Sequence, residues 1–181
     1  MEVERKFLLS SLPPPKRRGK GELISQGYIS AGDPEIRVRS KANQFYLTLK
    51  HGSGLVRDEF ETRAPRNVFK KLWELTAGKR IRKTRYTIPY SALKWEIDRY
   101  YGHLKGLCTA EVELDNPCEV VRIPFFLDIR EEITSDSRYK NKDLATRGLP
   151  AAGRDSKGGH RHHSPSSPTE MPSKRCQYGR S

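Results

Sequence analysis

Met1-Glu2-Val3-Glu4-Arg5-Lys6-Phe7-Leu8 opens the chain, and its alternation decides how the remainder is read. Residues two apart on a β-strand share a face. A strand here therefore sets Glu2, Glu4 and Lys6 on one side, and Val3 and Phe7 on the other. Taken alone, that describes any antiparallel strand with one solvated face. The same arrangement recurs along the chain. Arg37 and Arg39 alternate with Ile36 and Val38, and Tyr46, Thr48 and Lys50 alternate with Phe45, Leu47 and Leu49. Arg57, Glu59 and Glu61 share a face, as do Lys83 and Arg85. Glu96 and Asp98 stand against Trp95 and Ile97, and Glu111 and Glu113 against Val112 and Leu114. Seven strands thus give one face to Glu, Asp, Lys and Arg, with few of the Ser, Thr and Gln residues that decorate ordinary exposed faces.

The apolar faces must be covered, and helices can cover them from outside. A sheet curled with its charged face inward leaves no long exposed edge, and its interior is an ion-lined cavity. Seven bases fall on that inward set (Lys6, Arg37, Arg39, Lys50, Arg57, Lys83, Arg85), with eight acids (Glu2, Glu4, Glu59, Glu61, Glu96, Asp98, Glu111, Glu113). Desolvating so many charges costs several kcal/mol per ion unless each finds a partner. Stability is therefore a poor reason to keep them, and a ligand is a better one. Clustered carboxylates suit magnesium or manganese, which take carboxylate oxygens and retain water. Clustered bases suit phosphate oxygens, with Arg giving bidentate contacts. Both together describe a site for a metal–polyphosphate complex.

Outward from this pattern, strands are expected over residues 2–8, 22–30, 35–40, 44–50, 54–61, 80–88, 93–100 and 107–114. His51-Gly52-Ser53-Gly54 reads as a hairpin connection. Residues 67–77 read as a helix with Val68, Leu72 and Leu75 near one face and Gly78 as its terminator. A shorter helix is expected over 136–145. Residues 1–150 form one domain. Residues 151–181 are built largely of Gly, Ser, Pro, Lys, Arg and His, cannot offset their ordering entropy, and are expected to be a disordered tail.

The chain has 181 residues, enough for one domain plus that tail. Its 35 Lys and Arg against 22 Asp and Glu give a net charge of +13. Seven basic and two acidic residues lie from Arg147 onward, so +5 belongs to this end and +8 to residues 1–146. Such a surplus favours anionic partners. No stretch approaches the ~20 apolar residues of a membrane span. Met1 runs at once into Glu2 and Glu4, which reads as no signal peptide. Cys108, Cys118 and Cys176 are odd in number and lack paired spacing. They imply a reduced, cytoplasmic protein without a disulfide frame or zinc site. The basic runs Lys16-Arg17-Arg18 and Arg161-His162-His163 read as solvated surface. Stacking aromatics interleaved with basic residues are scarce, so nucleic acid is not the expected partner. His160, His162 and His163 read as tail residues without a metal site.

Several segments, taken together, resemble the CYTH superfamily, the triphosphate tunnel metalloenzymes, in the order in which the family carries them. They are Met1 to Leu8, Gln26-Gly27-Tyr28-Ile29, Ile36-Arg37-Val38-Arg39, Leu47-Thr48-Leu49-Lys50, Arg57 to Glu61, Lys83-Thr84-Arg85-Tyr86, Trp95 to Asp98, Ala110 to Leu114, and Arg138-Tyr139-Lys140-Asn141-Lys142. The small bacterial single-domain members are the nearest in kind. The resemblance implies an α+β fold, an eight-stranded antiparallel β-barrel with flanking helices, whose lumen binds a triphosphate with one or two divalent metals, Mg2+ or Mn2+. It implies metal-dependent hydrolysis of inorganic triphosphate (tripolyphosphate) to pyrophosphate and phosphate. Position by position, Lys6, Arg37, Arg39, Lys50, Lys83 and Arg85 match the phosphate-binding bases, and Arg57 matches less closely. Glu2, Glu4, Glu61, Asp98, Glu111 and Glu113 match the acidic, metal-binding set. Glu59 matches less closely, and Glu96 is peripheral. Glu4, Glu113 or Lys6 would accept the proton of the attacking water, a choice left open. Tyr28 and Lys142 lie in recurrent segments and receive no role. The family pattern would put a helix within residues 116–130, where this chain departs from it. Relatives on this fold act on nucleoside triphosphates, thiamine triphosphate or RNA 5′ ends, or are adenylyl cyclases. A non-catalytic polyphosphate-binding module is a further alternative, and the presence of both acidic pairs, Glu2/Glu4 and Glu111/Glu113, counts against it. A small triphosphate is the expected partner and a membrane is not; monomer and homodimer both remain open.

Overall fold

The period-two segments fold into antiparallel strands in a computed structural model that describes residues 3–52, 58–116, 119, 121–150 and 170–171. The strands are β1 (Val3–Leu9), β2 (Glu22–Ser30), β3 (Glu35–Lys41), β4 (Gln44–His51), β5 (Asp58–Arg63), β6 (Arg80–Tyr90), β7 (Leu93–Tyr100), β8 (Cys108–Leu114), β9 (Val121–Arg122), β10 (Ile129–Glu132) and β11 (Glu170–Met171). The helices are α1 (Pro15–Arg18), α2 (Arg66–Glu74) and α3 (Asn141–Arg147), with 3₁₀ turns at Gly102–Leu104 and Ser137–Tyr139. Nine strands form one antiparallel sheet in the order β10-β1-β8-β7-β6-β2-β3-β4-β5, and β9 pairs with β11.

The α+β class is as expected, but the closed eight-stranded barrel is not what forms. The sheet has nine strands and is open, with β5 and β10 at its edges. Alternation fixes which face a residue takes; it does not fix how far a sheet curls. All six residues of β5 are exposed, among them Asp58, Glu59, Glu61 and Arg63, and charges of this kind blunt an open edge. The additional strand, β10, has four residues, too few to display a period. It is held to β1 by backbone pairing and by Arg5, which donates from Nε and Nη2 to Glu132 at 3.1 and 2.8 Å.

The helices differ in detail. α2 ends at Glu74, short of the expected 77, because Leu75 and Thr76 turn back to Leu72 and Trp73 with i→i−3 bonds. Gly78 completes the turn at φ +75°. The helix expected over 136–145 is two pieces, a 3₁₀ turn and α3, separated by Lys140 in an extended conformation. No described residue of 116–130 is helical. α1 has four residues, below what a period can reveal. The Ser53-Gly54 part of the hairpin and, apart from β11, the tail lie outside the described residues.

The convex face packs Phe7, Trp95, Ile97, Ala110 and Val112 with Tyr86 and Ile88, covered by Val121, Ile123 and Leu127. Cys108 is buried beside this layer as a free thiol, and burial pushes it up to about 12, which leaves it inert. The concave face is charged for most of its length and apolar at one end. There Leu8, Tyr28, Ile81 and Tyr100 pack with Leu104, Leu107, Ile133, Leu144 and Ala145. Each of the first four lies two residues beyond a polar concave residue on its own strand: Lys6, Gln26, Lys83 and Asp98 respectively. α3 therefore seats its apolar side against β2 and β6 and plugs that end. Among the described residues, no helix is long and apolar enough to cross a membrane.

Gly27 on β2 lets Thr76 approach. A Cβ there would stand 2.5 Å from Thr76 Oγ1 and 2.6 Å from Thr76 Cβ. Thr76 cannot retreat, since its hydroxyl donates to Trp73 O at 2.7 Å and accepts from Arg80 Nε at 2.9 Å. Gly→Ala at a compatible site stabilises by roughly 0.4–1 kcal/mol, whereas overpacking costs ~1–3 kcal/mol. Gly27→Ala is expected to lower the unfolding free energy by about 1–2 kcal/mol in denaturant titration. Gly32→Ala, whose Cβ would meet nothing nearer than 3.9 Å, is expected to be neutral.

Candidate active site

Strand register, rather than any single motif, assembles the polar part of the concave face. Pairing of β1 with β8 sets Glu4 opposite Glu113 and Lys6 opposite Glu111. Pairing of β6 with β7 sets Arg85 opposite Asp98. Across β3, β4 and β5, Arg37 faces Thr48 and then Glu61, while Lys50 lies between Glu35 and Glu59. The result is a cavity of about 490 Å³, within the ~300–1,000 Å³ of small-molecule sites.

One ion network runs through its most buried wall. Lys83 Nζ lies 2.5 Å from Asp98 Oδ2, and Arg85 donates to Asp98 from Nε at 2.7 Å and Nη2 at 2.6 Å. Arg85 Nη2 also reaches Glu111 Oε2 at 2.7 Å, and Lys6 Nζ reaches Glu111 Oε1 at 2.7 Å. Glu96 adds a further pair to Arg85. Burial by itself would raise the Glu111 carboxyl, but Lys6, Lys83 and Arg85 outweigh it and hold Glu111 well below the carboxylate range. Lys83 goes the other way: loss of water lowers it, despite the pull of Asp98.

A second network covers the opposite wall. Arg39 Nη2 pairs with Glu61 Oε1 at 2.9 Å, Thr48 donates to Glu61 Oε2 at 2.7 Å, and Lys50 Nζ pairs with Glu59 Oε2 at 2.6 Å. Partial burial opposes ionisation of Glu61, and the Thr48 hydrogen bond with Arg39 and Arg37 overcomes it, so its carboxyl is lowered. Arg39 Nε is buried and has no partner. Arg37 meets Glu59 and Glu61 only at 3.6 and 3.7 Å.

Of the residues expected at the site, Glu4, Lys6, Arg37, Arg39, Lys50, Glu59, Lys83, Arg85, Glu111 and Glu113 line the cavity. Asp98 is fully buried behind Lys83 and Arg85, and Glu61, exposed on β5, pairs with Arg37 and Arg39; neither lines it. Glu96 also lies off the lining. Glu2 and Arg57 lie outside the described residues. Tyr28 and Lys142, which had no role, are on the wall, with Lys142 Nζ 3.8 Å from Glu35 Oε2. Gln26, Glu35, Thr134, Asp136, Tyr139, Lys140 and Asn141 were not anticipated. Gln26 and Glu35 share faces with Tyr28 and Arg37, so alternation alone could have found them. The residues of 134–141 carry no period, because that wall is turns and the start of a helix. Two contacts fix it: Lys6 N donates to Thr134 Oγ1 at 3.0 Å, and Tyr100 OH donates to Asn141 Oδ1 at 2.9 Å.

The donors fit a hard divalent cation. Among the described residues no three carboxylate, His or Cys groups gather into a ready cage. Mg2+ ordinarily takes one or two carboxylates, with waters and substrate phosphates completing its shell. Glu4 and Glu113 supply such a pair, side by side across β1 and β8, and neither side chain forms an ion pair or hydrogen bond with a described residue. Burial and the neighbouring Glu111 raise the Glu4 carboxyl, a crowding of negative charge that a cation would relieve. Among the described residues no His or Cys lines the cavity, so none of them offers it the nitrogen or sulfur ligands that zinc takes.

Asp98→Asn removes the partner of a fully buried lysine. Breaking one side of a buried pair costs about 3–5 kcal/mol, which for a domain of this size lowers Tm by roughly 6–20 °C. Because Lys83 is depressed in the folded state, the folded chain binds fewer protons than the unfolded one just below pH 10.5. Stability of the variant is therefore expected to recover as pH rises toward that value, measured by denaturant titration at several pH values.

No family model matches the chain. The sequence is 38% identical over 155 residues to the inorganic triphosphatase of Nitrosomonas europaea, covering 80% of this chain and 96% of that protein. It is 36% identical over 146 residues to the inorganic triphosphatase of Acetivibrio thermocellus, covering 79% and 92%. A crystal structure of an inorganic triphosphatase matches with a TM-score of 0.63 at 32% identity, over 83% of this chain and 97% of that one. Relatives this similar, matched over nearly their whole length by a chain whose strands converge charged side chains on one cavity, place it in a family: the chain belongs to the inorganic triphosphatases of the CYTH, or triphosphate tunnel metalloenzyme, superfamily.

Proposed function

We propose that the chain hydrolyses inorganic triphosphate to pyrophosphate and phosphate in this cavity, with Mg2+ or Mn2+ held beside the substrate by Glu4 and Glu113. The observation that carries the proposal is the convergence of eight cations (Lys6, Arg37, Arg39, Lys50, Lys83, Arg85, Lys140, Lys142) on the same lining as two unpaired carboxylates. The guanidinium groups of Arg37, Arg39 and Arg85 present forked donors to phosphate oxygens. Lysines on three strands and at the start of α3 spread positive charge along the chain. Donors fixed in place before the substrate arrives favour charge that develops on the transferred phosphoryl group.

Six carboxylates also line the cavity, and Asp98 and Glu61 pair with its cations from off the lining, so the site is close to neutral. Such a site suits a metal-neutralised triphosphate better than a bare polyanion. When bound, the metal supplies Lewis-acid polarisation of phosphate oxygens and a more acidic water. The carboxylates take the proton. Whichever oxygens of Glu4 and Glu113 are not engaged by the metal are placed to accept it, whereas Lys6 is engaged with Glu111 at 2.7 Å. A bare phosphate chain fits better than a nucleotide because, among the described residues, Tyr28 and Tyr139 are the only aromatic ones on the lining and the far end is filled by the apolar plug.

The test is phosphate release from inorganic triphosphate with Mg2+, with Mn2+ and with a chelator. Removing one preorganised charged group is expected to cost ~10²–10³ in kcat/KM, so Arg39→Ala and Glu4→Gln should each fall by about that factor while keeping the wild-type Tm within a few degrees. Undiminished turnover in either variant, or turnover indifferent to metal, overturns the assignment.

A further inference from the structure

With the cavity close to neutral, the +8 of residues 1–146 lies largely elsewhere. One concentration of it is on the convex face, where the β1–β2 connection packs on β6. Lys16, Arg17, Arg18 and Lys20 lie there on and after α1, and Arg82 and Arg99 project from β6 and β7. These six cations belong to one patch. Gly21 abuts Thr84 and Tyr86, Thr84 pairs across strands with Arg99, and Arg82 lies two residues from Thr84 on the same face. Arg18 and Arg99 both act on the Cys108 thiol. None of the six forms an ion pair with a described carboxylate, and five are exposed.

Three of the guanidinium groups are laid on aromatic rings. Arg17 Cζ sits 5.3 Å from the ring centre of Phe125, Arg18 Cζ 5.2 Å from that of Tyr86, and Arg99 Cζ 5.4 Å from that of Tyr101. Stacking of this kind holds a guanidinium plane in place while its N–H edge can meet an oxyanion; Arg18 also donates from Nη1 to Pro13 O at 2.8 Å, which leaves its other nitrogens for that contact. It also occupies the ring faces that single-stranded nucleic acid would use for its bases. Ordered forks without open stacking platforms recognise phosphate groups and ignore bases.

We infer that this convex patch is a second anion site, separate from the cavity, that holds a linear inorganic polyphosphate chain through its phosphate oxygens. The site stands on the far side of the sheet from Lys83 and Arg85, so it does not depend on hydrolysis in the cavity. The ligand chemistry is a run of phosphates spaced along a flexible backbone, longer than the cavity accepts.

The full chain is titrated with long-chain polyphosphate in the presence of a chelator, at salt from about 50 to 200 mM, where multi-phosphate contacts lose affinity steeply. Two charge-reversed variants are compared with wild type, Lys16→Glu/Lys20→Glu and Arg82→Glu/Arg99→Glu, so that misfolding of one leaves the other informative. Each is expected to lose roughly tenfold or more in polyphosphate affinity at the lower salt and to hydrolyse triphosphate at the wild-type rate. Variants that bind as wild type does, or a wild type without salt-dependent binding, overturn the site. A single-stranded oligonucleotide of equal charge that binds as tightly as polyphosphate also overturns it, in favour of a nucleic-acid surface. Absence of triphosphate hydrolysis in wild type would sink the cavity assignment and leave this one standing.

Discussion

Lys83 and Asp98 stand 2.5 Å apart, with the lysine nearly and the aspartate wholly removed from solvent, and the rest of the cavity is arranged around that pair. Neither charge could be buried alone, because an isolated ion loses several kcal/mol of hydration. Arg85 extends the pair to Glu111, and Glu111 extends it to Lys6, so four strands share one continuous set of charges. The network constrains geometry more than it adds stability, since a buried ion pair rarely outperforms a well-packed apolar one. Its consequence is that β1, β8, β7 and β6 cannot slip by a residue without stranding a charge. The register that places Glu4 beside Glu113 follows from the same constraint.

Pairing thins out from this wall toward the open cavity. Off the lining, Asp98 and Glu61 hold Lys83, Arg85 and Arg39 in fixed positions. On the lining, Arg37 is only loosely paired, and Arg39 keeps an unpartnered Nε. Farther out, the Glu4 and Glu113 side chains have no ion-pair or hydrogen-bond partner among the described residues. Side chains that must bind something else are those the protein has left unsatisfied, and they are oriented by the ones it has satisfied. The apolar end adds a boundary. Leu144 and Ala145 of α3 pack onto Tyr28, Ile81 and Tyr100, which removes water from one end of the site and brings Lys140 and Lys142 to its wall.

An open sheet lets two surfaces of opposite character serve different purposes. The concave face balances its charges internally, and the convex face buries an apolar layer while collecting unpaired arginines and lysines at its margin. The aromatics that hold those arginines come from distant parts of the chain: Phe125 from the turn before β10, Tyr86 from β6 and Tyr101 from the end of β7. Read along the sequence, the Lys16-Arg17-Arg18 run has no aromatic near it, and it passes for ordinary solvated surface.

The sequence by itself determined the strands, the side chains on each face and the chemistry of the inward set, because a period of two is local and every residue reports it. Ten of the expected site residues reach one cavity for that reason. Glu96 shows the limit of the rule: it shares the face of Asp98 yet lies off the lining, tied to Arg85 and Lys94. Only the tertiary structure decided that the sheet stays open, that β10 joins it, and that residues 133–142 complete the wall. Those outcomes depend on curvature, edge pairing and the docking of a short helix, which arise between segments far apart in the chain. They leave no period in any one of them.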